Sequence, residues 1–171
     1  SPAIGELARA WPDRPPIIID ESDGALESLP TALTLGYAGT SHKNCKGVFK
    51  SVANAGLLAR RRARGLPAVL SGEDLCNVGP LSTLQDLAAQ AALGVTSVER
   101  NGHHYFTGLE QFPRALQRHA IEQHPDLYVL LPSGSPRLDI RGGKLALGTV
   151  NAAPFGIPGE VDLSALPVET A

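Results

Sequence analysis

"YAGTSHK", Tyr37–Lys43, sets the pattern for the chain, because a run with an apolar start and an ionisable end passes at once into a long helical pattern. That helical pattern extends from Val48 to Ala63, with apolar residues three and four positions apart, and Gly65 closes it. The stretch therefore predicts a strand that is followed directly by a helix.

The same unit occurs before and after this stretch. The almost wholly apolar "PPIIID", Pro15–Asp20, is typical of a buried parallel strand, and a short helical pattern follows it at Glu27–Leu35. The later units consist of strands at Leu66–Asp74 and Gly94–Arg100 and helices at Leu81–Leu93 and Leu109–His124. Polar or ionisable residues end each predicted strand: Asp20 and Glu21, His42 and Lys43, Glu73 and Asp74, and the segment from Glu99 to His104.

These strand ends favour one α/β fold over another. In a (β/α)8 barrel the active-site groups gather at the carboxyl ends of the strands, so four consecutive units of this kind favour a barrel over a doubly wound sheet. A whole barrel usually takes ~250 residues, so we expect residues 1–128 to form half of a TIM-type barrel. Residues 129–171 are predicted to form a C-terminal hairpin and tail, in which "RLDIRGGKLAL", Arg137–Leu147, gives two short strands about a Gly-Gly turn.

The start of the chain predicts a processed, trimmed or incomplete product, and the opening segment favours truncation. The sequence contains no methionine and begins at Ser1. The opening segment, Pro2 to Trp11, has the pattern of the last turns of an amphipathic helix, and no capping residue precedes it.

The composition argues against several functional classes. With 43% hydrophobic residues and a formal net charge of -2, the 171-residue chain is typical of a globular protein and has no excess of positive charge for binding nucleic acid. It has no apolar run of the ~20 residues that cross a bilayer and no signal-peptide pattern, which favours a cytoplasmic protein without a membrane partner. Cys45 and Cys76 are too few for a disulfide framework and are predicted to be reduced thiols.

Three stretches in this order resemble one family. They are "IIIDES" from Ile17, "SHKNCKG" from Ser41 and "SGEDLCNVGPLSTLQDLAAQAALG" from Ser71. Together they resemble the carboxyl-terminal half of the enolase-superfamily barrel, strands five to eight, in the mandelate racemase and muconate lactonizing enzyme branch. The tail "IRGGKLALGTVNAAPFGIPGEVDL", from Ile140, resembles the ending of the same branch. The resemblance implies an isomerase or lyase that abstracts a proton α to a carboxylate, leading to racemisation, epimerisation, cycloisomerisation or dehydration.

The resemblance also implies Mg²⁺ or Mn²⁺ as the cofactor, a small carboxylic acid as the substrate and a homo-oligomer for the full-length protein. In the family's "DES" motif the Asp is the third metal ligand, and Asp20 is the matching residue. The first two metal ligands and a second base then belong to sequence outside this chain. Without the resemblance, a cap on the following turn is the simpler role for Asp20 or Glu21.

Lys43 matches the lysine that ends the sixth strand of the family's barrel and faces the substrate, which makes it the candidate catalytic acid/base. Along "TSHK", Ser41 and Lys43 share one face of the strand, so we expect His42 to pack between strand and helix with a hydrogen bond. A lysine acts as a base near neutral pH when its pKa is lowered. For Lys43 we expect this lowering from desolvation and from neighbouring cations, including Lys46 and the metal.

The remaining candidates each have two interpretations. Glu73, at the end of the seventh strand, is predicted to bind the substrate or metal-bound water, or else to cap the next element. His103 and His104 in "RNGHHYF" are candidate substrate contacts or simply exposed loop residues. Lys50 is predicted to be a solvated surface group and Cys45 a small buried residue.

Asp20, Lys43 and Glu73 are expected to project toward one open face at the strand ends. The alternative to an enzyme is a non-catalytic half-barrel module that pairs with a separate polypeptide. The sequence leaves the substrate and the stereochemistry open.

Overall fold

The structure is a computed structural model that describes residues 3–74, 77–164 and 166. The chain is mixed α/β and divides into two compact units, the first within residues 1–73 and 92–99 and the second within residues 74–91 and 100–171. The helices and strands in chain order are α1 (Ala3–Ala10), α2 (Ser28–Thr34), β1 (Gly39–His42), α3 (Val48–Arg62), β2 (Val69–Glu73), α4 (Pro80–Ala92), β3 (Val98–Glu99), α5 (Arg114–Gln123), β4 (Tyr128–Leu130), β5 (Pro136–Leu138) and α6 (Gly148–Ala152). Within the described residues, no helix is both long and apolar enough to span a membrane.

The first unit is built on a parallel sheet with the strand order β1-β2-β3. The apolar segment that precedes β1 runs parallel beside it: the Ile19 amide donates to the Gly39 carbonyl at 3.0 Å, and the Ser41 amide donates to the Ile19 carbonyl at 3.1 Å. Four extended segments thus follow one another in chain order, with α2, α3 and α4 in the connections. The predicted α/β class and the alternation of strands and helices are confirmed, and the half-barrel stays a prediction.

Gly39 allows the first two strands of this sheet to approach closely. A Cβ atom at position 39 would lie 1.7 Å from the Val69 carbonyl oxygen, so only glycine fits here. All four residues of β1 are buried, because α2 and α3 pack against this strand. Leu29 of α2 and Leu58 of α3 are fully buried in the packing. A buried strand therefore carries Thr40, Ser41 and His42, and Lys43 follows it directly.

The second unit has its own hydrophobic core and an antiparallel strand pair. Strands β4 and β5 pair with Tyr128 opposite Leu138 and Leu130 opposite Pro136. The buried core consists of Leu84, Leu87, Leu109, Ala120, Leu127, Tyr128 and Val150. This core draws on α4, α5, β4 and α6, so the unit is more than a tail.

The predicted hairpin over Arg137–Leu147 is right in its turn and wrong in its strands. Arg141 and Lys144 exchange two backbone hydrogen bonds of 3.0 Å. Between them lie Gly142 and Gly143, whose φ angles of +55° and +74° suit a tight hairpin turn. The pairing ends at that single bridge, because the leucines after the turn pack against the hydrophobic core instead. The antiparallel pair of this region is β4 with β5.

The compact units also differ from the predicted division of the chain. The predicted boundary between residues 128 and 129 falls inside β4. In the predicted tail, α6 forms where the Asp126 carboxylate accepts a 3.1 Å hydrogen bond from the Thr149 amide. Cys76 and residues 165 and 167–171 lie outside the described residues, so the thiol at position 76 and the end of the tail stay predictions.

Candidate functional site

The carboxyl ends of the parallel segments in the first unit bring three predicted site residues together. Asp20 follows the segment that pairs with β1, Lys43 follows β1, and Glu73 ends β2. Because parallel strands end at the same edge of a sheet, their terminal side chains meet there. The Lys43 Nζ lies 3.2 Å from Asp20 Oδ1 and 2.6 Å from Glu73 Oε2. The predicted meeting of these side chains is confirmed, and their roles stay predictions.

Lys43 is the centre of this cluster. Its side chain is only 1% exposed, and its Nζ also donates a 2.5 Å hydrogen bond to Glu21 Oε1. Burial alone would lower the pKa of Lys43, but hydrogen bonds to Glu21, Glu73 and Asp20 outweigh it and raise the pKa well above its ordinary value. The expected lowering of this pKa is therefore wrong for the cluster as it stands. Lys43 is an ammonium group that keeps its proton.

Lys46 adds a second cation from the 3-10 turn that follows β1. Its Nζ donates to the Asp20 carbonyl oxygen at 2.7 Å and lies 3.2 Å from Asp20 Oδ1. Burial raises the pKa of Asp20, but the hydrogen bonds from Lys43 and Lys46 outweigh this and hold the pKa below its ordinary value. The hydrogen bond from Lys43 likewise lowers the pKa of Glu21. The cluster therefore contains three carboxylates and two ammonium groups, with one negative charge in excess.

Asp20, Glu21 and Glu73 also form a set of oxygen ligands. One carboxylate oxygen from each lies within 4.8 Å of the others. Hard oxygen ligands are what Mg²⁺ and Mn²⁺ prefer, so the donor chemistry fits a divalent cation. The Lys43 Nζ, however, lies within 3.2 Å of all three carboxylates. A divalent cation that used the whole set would compete with this ammonium for the same oxygens.

His42 packs between β1 and α3, as predicted. Its Nδ1 lies 2.6 Å from Ser51 Oγ on α3, and its Nε2 lies 2.9 Å from Asn44 Oδ1. The Asn44 oxygen only accepts, so the proton lies on Nε2 and Nδ1 accepts from the Ser51 hydroxyl, which also lies 3.1 Å from the Gly47 carbonyl oxygen. Burial lowers the pKa of His42, so the neutral ring is favoured. His42 therefore anchors the strand that carries Lys43.

A second buried network lies between the turn after Asp20 and α3. The Asp23 Oδ2 accepts hydrogen bonds from Thr40 at 2.8 Å and Asn54 at 3.0 Å, and the Lys50 Nζ lies 3.1 Å from Asp23 Oδ1. The prediction of a solvated Lys50 is wrong, because this ammonium is buried against its partner carboxylate. The prediction of a buried Cys45 is also wrong, since this thiol is exposed on the turn.

His103 and His104 belong to the second unit. They end a 3-10 turn at Gly102–His104, and their ring centroids lie 4.0 Å apart with planes tilted by 37°. Both side chains are exposed, and His103 lines a cavity of that unit. A role in substrate binding stays a prediction for both residues.

Two members of the charged networks were not assigned from the sequence. Glu21 stands beside Asp20 in "DES", and strand alternation would have turned it to the other face, but it lies in a turn where that rule does not hold. Asp23 had no local signal, because its partners come from β1 and α3.

No family model, no curated protein and no solved structure matches this chain. The resemblance to the enolase superfamily therefore rests on the sequence motifs alone.

Proposed function

We propose that this chain is the carboxyl-terminal half of an enolase-superfamily barrel and supplies Lys43 as an acid/base catalyst on a small carboxylic acid with an α proton. One observation carries the proposal: Asp20, Lys43 and Glu73 meet at the ends of three successive parallel segments. A cluster of ionisable groups with a strongly shifted pKa, at the strand ends of an α/β sheet, is a good candidate for a reaction centre.

The state of Lys43 defines its part in the chemistry. Its N–H groups face acceptors on Asp20, Glu21 and Glu73, so the ammonium is fixed in direction as well as in charge. A fixed ammonium at an enolate can deliver a proton to the α carbon and become the neutral amine, and the reverse step abstracts that proton. Glu73, which is half-buried on the neighbouring strand, positions the Nζ.

Asp20 is the residue of this chain that would hold the divalent cation, together with ligands from outside the chain. When bound, such a cation stabilises the negative charge of the enolate. It would also draw the carboxylates away from Lys43, and loss of their hydrogen bonds lowers the pKa of this lysine. Lys43 can therefore have a raised pKa in the cluster described above and still act as a base once a bound cation has lowered that pKa.

Exchange of the α proton with solvent tests the proposal. The chain is mixed in D₂O with Mg²⁺, a panel of racemisable and dehydratable acids, and a co-expressed polypeptide that carries the capping domain and the first four barrel strands. We expect the α-proton NMR signal of some acid to decay with the wild-type mixture and not with Lys43→Met. Lys144→Met, which removes an exposed lysine of the second unit, is the matched control and should retain exchange. Retention of exchange by Lys43→Met, or decay of no signal with the wild type, would contradict the proposal.

A second candidate function is a non-catalytic module that pairs with another polypeptide. The observation in its favour is an apolar surface on α3, where Phe49 is 92% exposed and Val52 is 55% exposed. Pairing through this surface predicts that the chain without its partner self-associates through α3, that Phe49→Ser makes it monomeric in analytical ultracentrifugation, and that the wild-type mixture shows no proton exchange. The two functions are therefore distinguished by separate variants and separate measurements.

A further inference from the structure

A cavity of about 460 Å³ lies wholly within the second unit. This volume is in the range that takes a small organic ligand. Apolar side chains form much of its lining: Phe106, Leu109, Leu131, Leu138 and Ile140. Its charged and polar lining includes Arg100 and Tyr128, whose hydrogen-bonding groups are not satisfied by the described residues.

Arg100 lines this cavity with a guanidinium group that is only partly engaged. Its side chain is 11% exposed, and its Nη2 lies 2.9 Å from Asp74 Oδ2. All three guanidinium nitrogens, Nε, Nη1 and Nη2, are buried and have no hydrogen-bond partner among the described residues, so the contact with Asp74 is an ion pair only. A guanidinium has five N–H donors, so one carboxylate leaves most of its donor capacity unused.

Tyr128 supplies a second unpartnered donor to the same lining. Its side chain is 4% exposed, and its hydroxyl has no hydrogen-bond partner among the described residues. Burial raises the pKa of this phenol, and the charge of Arg100, which lines the same cavity, acts in the opposite direction. Burying a donor without a partner is costly, which makes two such groups at one cavity unusual.

We propose that this cavity binds a small organic carboxylate with an apolar body. Among the unpartnered groups, Arg100 Nε and Nη1 can only donate and the Tyr128 hydroxyl can donate, so the ligand must offer acceptors. A carboxylate offers two acceptor oxygens and also the negative charge that a buried guanidinium favours. The apolar lining residues accommodate the rest of the ligand.

The charges around the cavity favour an anion over a cation. The Asp74 carboxylate is paired with Arg100, and the Asp139 carboxylate lies 2.7 Å from the Arg141 guanidinium. Arg137 also lines the cavity, and no described carboxylate lies within ion-pair distance of it. The guanidinium groups of Arg100 and Arg137 are therefore the charged groups of the lining that can still bind a ligand of opposite charge. This inference does not rest on the proposed function, because it concerns binding alone.

Isothermal titration calorimetry on the full chain tests the proposal with two acids and their neutral amides. We expect phenylacetate or hexanoate to bind at least about tenfold more tightly than phenylacetamide or hexanamide, since only the acids complement the guanidinium. Tyr128→Phe retains the ring and removes the hydroxyl, so it should weaken binding of the acid by about tenfold. Tyr37→Phe, in the first unit, is the matched control and should bind as the wild type does.

Arg100→Gln should abolish binding of the acids. If Arg100→Gln does not fold, the measurement with Tyr128→Phe still tests the proposal. Equal affinity for acid and amide would show a merely apolar cavity and overturn the proposal. Absence of binding by both acids would show a cavity that holds water only, with the same consequence. Wild-type affinity in Tyr128→Phe would place the carboxylate elsewhere and also overturn the proposal.

Discussion

Two buried cations of this protein differ in how far their surroundings compensate them. Lys43, in the first unit, faces carboxylates on Asp20, Glu21 and Glu73. Arg100, in the second unit, has one carboxylate at ion-pair distance and three nitrogen atoms without a hydrogen-bond partner among the described residues. The three carboxylates around Lys43 carry more negative charge than its ammonium group neutralises. The Arg100 guanidinium, in contrast, has N–H donors that no described residue accepts from.

This difference separates two kinds of site. A cation with excess carboxylates responds to the arrival of another cation, which would take over some of those oxygens. A cation with unused donors responds to the arrival of an anion. The first unit is therefore expected to respond to Mg²⁺ and the second to a carboxylate. Variants that remove one partner at a time break or sharpen this distinction.

The largest effect is expected from Asp23→Ala, which leaves the buried Lys50 without its partner. Removal of one member of a buried ion pair typically costs about 3 to 5 kcal/mol, and Asp23 also accepts hydrogen bonds from Thr40 and Asn54. Urea unfolding monitored by circular dichroism measures the loss. Asp13→Ala, at an exposed aspartate, is the control and should change the free energy of unfolding by less than about 0.5 kcal/mol. A small loss for Asp23→Ala would mean that Lys50 reaches solvent without it.

Lys43→Met is expected to have the next largest effect, about 2 to 3 kcal/mol of destabilisation. The loss is smaller than for Asp23 because Asp20 is 45% and Glu21 80% exposed, so their carboxylates regain water when the ammonium is removed. Millimolar Mg²⁺ should recover part of this stability, since it replaces the missing positive charge. The same urea titration with and without Mg²⁺ measures both effects. If Mg²⁺ stabilised the wild type as much as the variant, ammonium and metal would not share these oxygens.

The strand and helix order was predictable because it depends on local information. Apolar runs, glycine and proline boundaries and helical spacing lie within each segment, and the helix predicted at Val48–Ala63 is observed at Val48–Arg62. The strand-end rule also predicted the meeting of Asp20 with Lys43, because parallel segments fix which ends lie together. It did not predict the pKa of Lys43, which depends on Glu21 in a turn with no regular alternation.

The buried partners were beyond prediction for a different reason. The burial of Lys50 depends on Asp23, which is far away in the sequence. In the same way, the cavity that contains Arg100 and Tyr128 is formed by the packing of the second unit, and no motif marks it. The turn predicted within Arg137–Leu147 forms, but the two strands beside it do not, because the leucines after the turn pack against the hydrophobic core.

A smaller effect is expected from pH, through the two buried histidines. Burial lowers the pKa of both His42 and His124 below the ordinary ~6.5, so as pH falls through ~6.5 the unfolded chain takes up protons before the folded chain does. Stability is therefore fully present above ~6.5 and declines as pH falls below it. Urea unfolding at several pH values between 7.5 and 5 should show this slope, which His42→Gln and His124→Gln should flatten. His104→Gln, at an exposed histidine, should leave it unchanged.

The smallest effect is expected from Tyr128→Phe. Since the hydroxyl has no partner among the described residues, its removal should leave the free energy of unfolding unchanged or raise it by up to about 1 kcal/mol. Thermal unfolding without added ligand measures the change. A clear loss of stability would show that the hydroxyl is hydrogen-bonded in the protein and would remove the difference between the two cations.

The central claim is that Lys43 and a divalent cation compete for the same carboxylates, and NMR titration of the Lys43 ε-carbon in ¹³C-lysine-labelled protein tests it most directly. The signal is assigned by its absence in Lys43→Arg. Without Mg²⁺ we expect no titration of this signal at or below the ordinary lysine value of ~10.4, and with saturating Mg²⁺ we expect the midpoint to fall. A Lys43 that titrates at or below ~10.4 without Mg²⁺, or a midpoint that Mg²⁺ leaves unchanged, would contradict the account.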